Sequence, residues 1–134
     1  MNKKTISLLL GLLIIIICIL VSYIYITKNN IYNVIKKENI NSITLEDIPT
    51  SVKITKKSDI EDIIKILQFN KWKIKYRFGI KLEPSVNITI NNINIGLYED
   101  EIYAKVSSDK SRIRYYIIPH DTCEKIIEYI NKTI

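Results

Sequence analysis

Hydrophobic positions divide the chain into one continuous apolar run and a longer part in which apolar and polar residues alternate. Residues 6–26 contain no charge, proline or asparagine, with Lys3 and Lys4 before them and Lys28 after them. In a helix that rises about 1.5 Å per residue, the run spans roughly 30 Å, the thickness of a bilayer core. The pattern predicts a tail over residues 1–5 and a transmembrane helix over residues 6–26.

A cleaved signal peptide and a lipidation site are the alternatives for this apolar run. Cleavage favours small residues at alternate positions, whereas Leu20 stands two residues before Ser22. Acylation of Cys18 would favour a small residue before it, and Ile17 stands there. We interpret the run as an uncleaved anchor. A short basic tail favours the inner side, so we expect a single-pass protein of the cell membrane whose N-terminus is inside and whose larger part is outside.

The rest of the chain begins with a polar stalk over residues 27–40, in which Ile31, Val34 and Ile35 have the spacing of a short helix. The period then changes to two, with two helical stretches inserted. The predicted strands cover residues 42–45, 51–56, 71–78, 86–90, 93–97, 102–106 and 113–117, and the predicted helices cover residues 58–68 and 121–130.

Helix starts and turns are predicted from local signals. Ser58 with Glu61, and Asp121 with Glu124, have the spacing of capping boxes. Two-residue turns at 91–92 and 99–100 keep apolar side chains on one face of the sheet. The predicted pairs across these turns are Ile90 with Ile93 and Leu97 with Ile102.

The direction of each side chain follows from alternation. We expect Trp72 to point inward from a central strand and to pack against Ile63, Ile64 or Leu67. The inward residues of the last strand are predicted to be Ile113, Tyr115 and Ile117, with Arg112, Arg114 and Tyr116 outward.

Together these elements predict an α+β domain over residues 41–134. Its order is strand, helix, a meander of about five strands, and helix, in a mainly antiparallel sheet. Both helices follow a strand, so we expect them to cover one face of the sheet and to leave the other face open.

The run VKITKKSDIEDIIKILQFNKWKIK and the closing YYIIPHDTCEKIIEYINK resemble a group of small membrane-anchored or lipoprotein domains of low-GC Gram-positive bacteria. The shared motif is a strand, a polar cap and an isoleucine-rich helix, carried here by Thr55, Lys57, Ser58, Asp59 and Ile60. The resemblance implies a fold and a location. It implies no catalytic residues, because the function of these domains is unassigned.

Composition changes how the charge is interpreted. The chain has 32 Ile, 17 Lys and 12 Asn but a single Ala, which indicates a low-GC genome. The net charge of +6 is therefore partly genomic drift, and we expect no nucleic-acid partner. Two cysteines and one histidine exclude a disulfide scaffold and a histidine-rich metal site.

The remaining chemistry is sparse. His120, Asp121 and Cys123 lie together, but carboxylates beside a thiol raise its pKa, so a structural helix start is the better interpretation. The acidic residues at 99–101 are typical of a solvated hairpin tip rather than a cation site. We therefore predict no enzymatic activity, no cofactor and no metal.

One cationic row is the candidate binding surface. Lys71, Lys73, Lys75 and Arg77 alternate with apolar residues and are predicted to face the open side of the sheet. The residues expected to share that face are Arg112, Arg114 and Lys105, with Tyr98, Tyr103 and Tyr116 among them. The alternative is that the lysines only keep the sheet soluble and block edge pairing.

The sequence thus favours a membrane-tethered binding module outside the cell membrane. Its expected partner is an anionic envelope polymer or an envelope protein. The second hypothesis is a small immunity or regulatory protein that acts on a membrane partner through its span and stalk.

Overall fold

The computed structural model describes residues 2–28, 30–75, 83–99, 102–109 and 111–133. The chain divides into two units between Lys37 and Glu38. The first unit contains α1 (Lys3–Lys28) and α2 (Ile31–Lys37), which is the short helix expected in the stalk.

The helix α1 is long and apolar enough over Lys3–Ile26 to cross a membrane, by length and composition. Asn2 caps its first turn, because the Asn2 side-chain oxygen accepts hydrogen bonds from the backbone N–H and the hydroxyl of Thr5, both at 2.9 Å. The predicted apolar run is therefore helical along its whole length.

The second unit is built from seven strands and two α-helices in its described residues. They are β1 (Ile43–Asp47), β2 (Thr50–Ile54), α3 (Lys57–Leu67), a 3-10 turn (Phe69–Lys71), β3 (Lys73–Lys75), β4 (Val86–Ile90), β5 (Ile93–Leu97), β6 (Tyr103–Ser108), β7 (Ser111–Ile117) and α4 (Thr122–Thr133). The predicted α+β class is confirmed.

All seven strands form one antiparallel sheet in the order β2-β1-β4-β5-β6-β7-β3. Each strand of the meander β4 to β7 pairs with the next one. β1 extends the sheet beyond β4, and β2 forms that edge. β3 precedes the meander in the chain but pairs with β7 at the opposite edge.

Both helices cover the same face of the sheet, as predicted, and they pack against each other. Their apolar stripes follow the i, i+3, i+4, i+7 spacing of amphipathic helices. Ile63 and Leu67 of α3 and Ile126 and Ile130 of α4 are completely buried, together with alternate residues of the strands. The core lies between this helical layer and the sheet, and both described helices of the second unit leave the other face of the sheet uncovered.

The start of α3 differs from the prediction. The helix begins at Lys57, and its N-cap is Lys56, which makes no side-chain cap hydrogen bond. Ser58 therefore lies inside the first turn, and its prediction as the capping residue is wrong. The reason is the short connection from β2, which fixes where the helix begins. At α4, Asp121 stands immediately before the helix and forms an ion pair with Lys125 at 3.0 Å.

The predicted turn at residues 91–92 is confirmed. Asn91 adopts a left-handed conformation with φ of 51°, which asparagine tolerates. Its amide nitrogen donates hydrogen bonds to the Glu38 carboxylate at 3.1 Å and the Asn39 carbonyl at 3.0 Å, and its oxygen accepts one from Asn41 N–H at 3.4 Å. One side chain thus attaches the beginning of the second unit to the β4–β5 turn.

The second predicted turn is wrong in its register. Leu97 pairs with Ala104 rather than with Ile102, which is 44% exposed. The chain turns later than expected because Tyr98 stays buried, at 4% exposed, beyond the end of β5. β6 consequently begins at Tyr103 rather than at residue 102.

The two faces of β7 are reversed relative to the prediction. Tyr116 pairs with Ala104 and Arg114 pairs with Val106, so both belong to the helix-covered face. The ring of Tyr116 is 1% exposed, and its centroid lies 5.9 Å from that of Trp72. Burying this tyrosine removes a larger surface from water than burying an isoleucine would. The residues predicted to point inward are half-buried or exposed instead, namely Ile113, Tyr115 and Ile117.

Trp72 points into the core, as predicted, but it lies between the 3-10 turn and the edge strand β3 rather than on a central strand. Its indole N–H donates a hydrogen bond of 2.7 Å to the Leu67 carbonyl at the end of α3. Its ring lies 4.7 Å from the ring of Phe69, centroid to centroid. Trp72 therefore joins the helical layer to the β3 edge of the sheet.

Candidate functional site

The face of the sheet opposite α3 and α4 carries the candidate site. Ile74 pairs with the buried Tyr116, so the flanking Lys73 and Lys75 must lie on the other, open face. Across the strands, Lys75 pairs with Tyr115, and Tyr115 pairs with Lys105. We refer to Lys73, Lys75 and Lys105 as the basic patch.

The basic patch contains only part of the predicted cationic row. Lys71 lies in the 3-10 turn and is exposed, outside β3. Arg77 falls outside the described residues. Arg114 lies on the helix-covered face with Tyr116. Arg112 is exposed within the stretch of β7 where the register shifts, away from the strand end that holds Lys73 and Lys75.

Tyrosines accompany the basic patch. The Lys75 ammonium lies 3.6 Å from the centroid of the Tyr103 ring, a cation–π contact that passes across β7. Burial raises the pKa of the Tyr98 phenol, and the neighbouring Tyr115 raises it further. Tyr103 and Tyr115 therefore form the aromatic part of this surface, together with the partly exposed Ile117, and the buried Tyr98 lies near Tyr115. Of the three tyrosines predicted here, Tyr116 lies on the helix-covered face.

The other half of the open face is polar and contains a depression of about 360 Å³. Its lining includes Gly96, which pairs with Asn87 on one side and with Lys105 on the other. A side chain at Gly96 would meet Pro84, because an added Cβ would lie 2.8 Å from Pro84 Cβ. The polar side chains around it are Glu46, Asn87, Thr89, Asn94, Lys105 and Ser107. We refer to this feature as the glycine depression.

Sequence reasoning missed the glycine depression. The available signal was Gly96 inside a strand, which often marks a close approach of another chain segment or a ligand. The polar residues around it come from β4, β5 and β6, and Glu46 of β1 joins them only through the β1–β4 pairing. That pairing joins residues far apart in the sequence and has no local signature.

The histidine and cysteine cluster lies at the start of α4. Cys123 is 3% exposed, whereas His120 is exposed. The ion pair with Lys125 lowers the pKa of Asp121, mainly through the hydrogen bond between them. These contacts agree with a structural helix start.

The predicted acidic hairpin tip is described only at Glu99, which is exposed and whose backbone N–H donates a hydrogen bond to the Ser85 hydroxyl at 3.2 Å. Within the described part of the chain, no group of three or more histidine, cysteine or acidic side chains is placed to hold a metal ion.

The chain matches no family model and no curated protein. Among solved structures it is similar to the crystal structure of a provisionally assigned lipoprotein from Clostridium perfringens. The two share 19% sequence identity with a TM-score of 0.45, and the match covers 68% of this chain and 84% of the other.

Proposed function

We propose that the protein is a non-catalytic binding module, tethered to the cell membrane by α1, whose basic patch binds an anionic polymer of the cell envelope on the outer side. The observation that carries this proposal is the convergence of Lys73, Lys75 and Lys105 on one sheet face. Within the described residues, no carboxylate forms an ion pair with any of the three.

The geometry of the patch suits an extended ligand. Lys73 and Lys75 are alternate residues of one strand, roughly 7 Å apart along it. Lys105 lies two strands from Lys75, a spacing of about 10 Å. Three cations at these spacings match repeated negative charges along a polymer better than a single small anion.

The tyrosines add a second contribution. Tyr103 holds the Lys75 ammonium over its ring, and Tyr115 lies between Lys75 and Lys105 in the sheet. This arrangement restricts the lysine side chain before any ligand binds, which reduces the entropy that binding costs. The half-buried tyrosine rings also offer apolar surface to the uncharged parts of a polymer.

The experiment compares two double variants of the full chain in nanodiscs of neutral lipid. Lys73→Gln with Lys75→Gln removes two charges of the basic patch. Lys57→Gln with Lys65→Gln removes the same charge from the exposed side of α3. Retention on immobilised polyphosphate is measured at salt concentrations of about 50 and 300 mM, because screening weakens exposed charges over this range.

The wild-type chain should be retained at the lower salt concentration, and the α3 double variant should be retained equally well. The patch variant should elute early at low salt and differ little at high salt. If both double variants lose retention equally, retention depends on net charge alone and the basic patch is not a specific site. If the wild-type chain passes through the resin at low salt, the proposal is wrong, and the lysines only keep the sheet soluble.

A further inference from the structure

We propose that the glycine depression is a separate binding site for a neutral, amide-bearing sugar of an envelope glycan. This site does not depend on the proposed binding of an anionic polymer, because it is lined by different side chains except for Lys105, which borders both surfaces.

Three polar side chains line the depression without a side-chain partner among the described residues. Glu46, Asn87 and Lys105 are half-buried. Within the described residues, the Glu46 carboxylate and the Lys105 ammonium form no ion pair, and the Asn87 amide forms no side-chain hydrogen bond. Every buried side-chain nitrogen or oxygen of the described residues has a hydrogen-bond partner, so the polar atoms of these three side chains reach water and can exchange it for a ligand.

The side chains that line the depression include both hydrogen-bond donors and hydrogen-bond acceptors. Lys105 only donates, the Glu46 carboxylate only accepts, and the Asn87 amide does both. Asn94 uses its side-chain oxygen to accept a hydrogen bond from the Thr89 hydroxyl at 3.3 Å, so its amide nitrogen remains as a donor. A sugar hydroxyl or acetamido group also donates and accepts, and it matches this lining. A polyanion would place negative charge beside Glu46.

The shape of the depression also suits a sugar ring. The Pro84 ring lies over Gly96, in the space that a side chain at position 96 would need, and it forms an apolar wall of the depression. A pyranose ring has one face of C–H groups that packs against such a wall. Glu46 and Lys105 lie on strands three spacings apart, roughly 14 Å, which accommodates about two sugar rings. The volume of about 360 Å³ lies within the usual range for small-ligand sites.

The test uses N,N′-diacetylchitobiose as the probe and maltose as a disaccharide without amides. The full chain in neutral-lipid nanodiscs is titrated with each sugar, and binding is followed by saturation-transfer NMR at about 50 and 300 mM salt. Glu46→Gln and Asn87→Ala alter the depression. Glu61→Gln, an exposed carboxylate on α3, is the matched control. The fluorescence of the single, buried Trp72 reports whether each variant is folded.

We expect the wild-type chain to bind diacetylchitobiose in preference to maltose, with little dependence on salt. Glu46→Gln and Asn87→Ala should each weaken binding by about tenfold, the effect of one lost hydrogen bond of this type, while Glu61→Gln should not. Equal binding of both sugars, no binding of diacetylchitobiose, or unchanged binding by folded depression variants would overturn the proposal. If the wild-type chain binds diacetylchitobiose but is not retained on polyphosphate, only the proposed function of the basic patch is rejected.

Discussion

Trp72 connects three parts of the core through one side chain. Its indole N–H satisfies the Leu67 carbonyl at the end of α3, where no further helical N–H follows to bond it. Its ring lies between Phe69 of the 3-10 turn and Tyr116 of β7. The residue therefore contributes both apolar burial and a hydrogen bond, and substitutions separate the two.

Replacing Trp72 by alanine should lower the free energy of unfolding by about 3–5 kcal/mol, because a large buried ring leaves a cavity. Trp72→Phe keeps much of the ring but leaves the Leu67 carbonyl without its donor, which should cost about 1–3 kcal/mol. Urea unfolding of the full chain in detergent, followed by far-ultraviolet circular dichroism, measures both. A phenylalanine variant as unstable as the alanine variant would assign the stability to the hydrogen bond rather than to packing.

Asn91 combines a left-handed backbone with three hydrogen bonds to residues 38–41. Asn91→Gly keeps the backbone conformation but removes the side-chain bonds, whereas Asn91→Ala loses both advantages. We expect the alanine variant to be less stable than the glycine variant by about 1 kcal/mol, the usual penalty of a left-handed residue with a Cβ.

Hydrogen exchange provides the measurement for Asn91. In both variants the N–H of Asn41, which donates to the Asn91 oxygen, should exchange faster. Unchanged exchange at Asn41 in the glycine variant would show that β1 alone orders this segment.

At the scale of elements, the start of α4 carries the Asp121–Lys125 ion pair. Because the pair lowers the pKa of Asp121 below its ordinary value of 3.8, its stabilisation is present at neutral pH and is lost as the pH falls through the lowered pKa. Both side chains are substantially exposed, so the effect on the melting temperature should be small.

Asp121→Asn should lower the melting temperature slightly at pH 7, and the difference from wild type should vanish as the pH falls below the lowered pKa of Asp121. Lys125→Gln should have a similar effect at neutral pH, and the double variant should add little to either single one. Thermal unfolding from pH 2 to pH 7 measures this. A constant difference across the whole range would contradict an electrostatic origin.

Elements with a strong local period could be predicted from the sequence, and elements whose geometry depends on distant partners could not. The β4–β5 turn was predictable because Asn91 and Asn92 separate two alternating strands of matching parity. The orientation of β7 could not be predicted in this way. Alternation along β7 favours either set of residues as the inward one, and the structure buries Tyr116 beside Trp72.

In the cationic row, Lys73 and Lys75 lie on the open face as predicted, Lys71 lies in the 3-10 turn, and Arg77 is outside the described residues. The predicted neighbour Arg114 lies on the helix-covered face.

The whole molecule has a proposed topology that protease treatment tests. We expect residues 27–134 to lie outside the membrane, because Lys3 and Lys4 precede the apolar helix. Protease added to intact protoplasts should remove the second unit, while a cytoplasmic marker protein stays intact. Full protection of the second unit, with digestion only after the membrane is permeabilised, would place it on the inner side.

The pairing of β1 with β4 has a consequence in time. Ile90, the partner of Ile43, follows it by 47 positions, so at about 5–20 residues per second β1 leaves the ribosome roughly 2–9 seconds before β4 can join it. β3 is likewise synthesised before its partner strand β7. During synthesis the nascent chain therefore exposes the β1–β2 hairpin and β3 as unpaired strand edges. A chaperone, or another chain that pairs incorrectly, binds the nascent protein first at these edges.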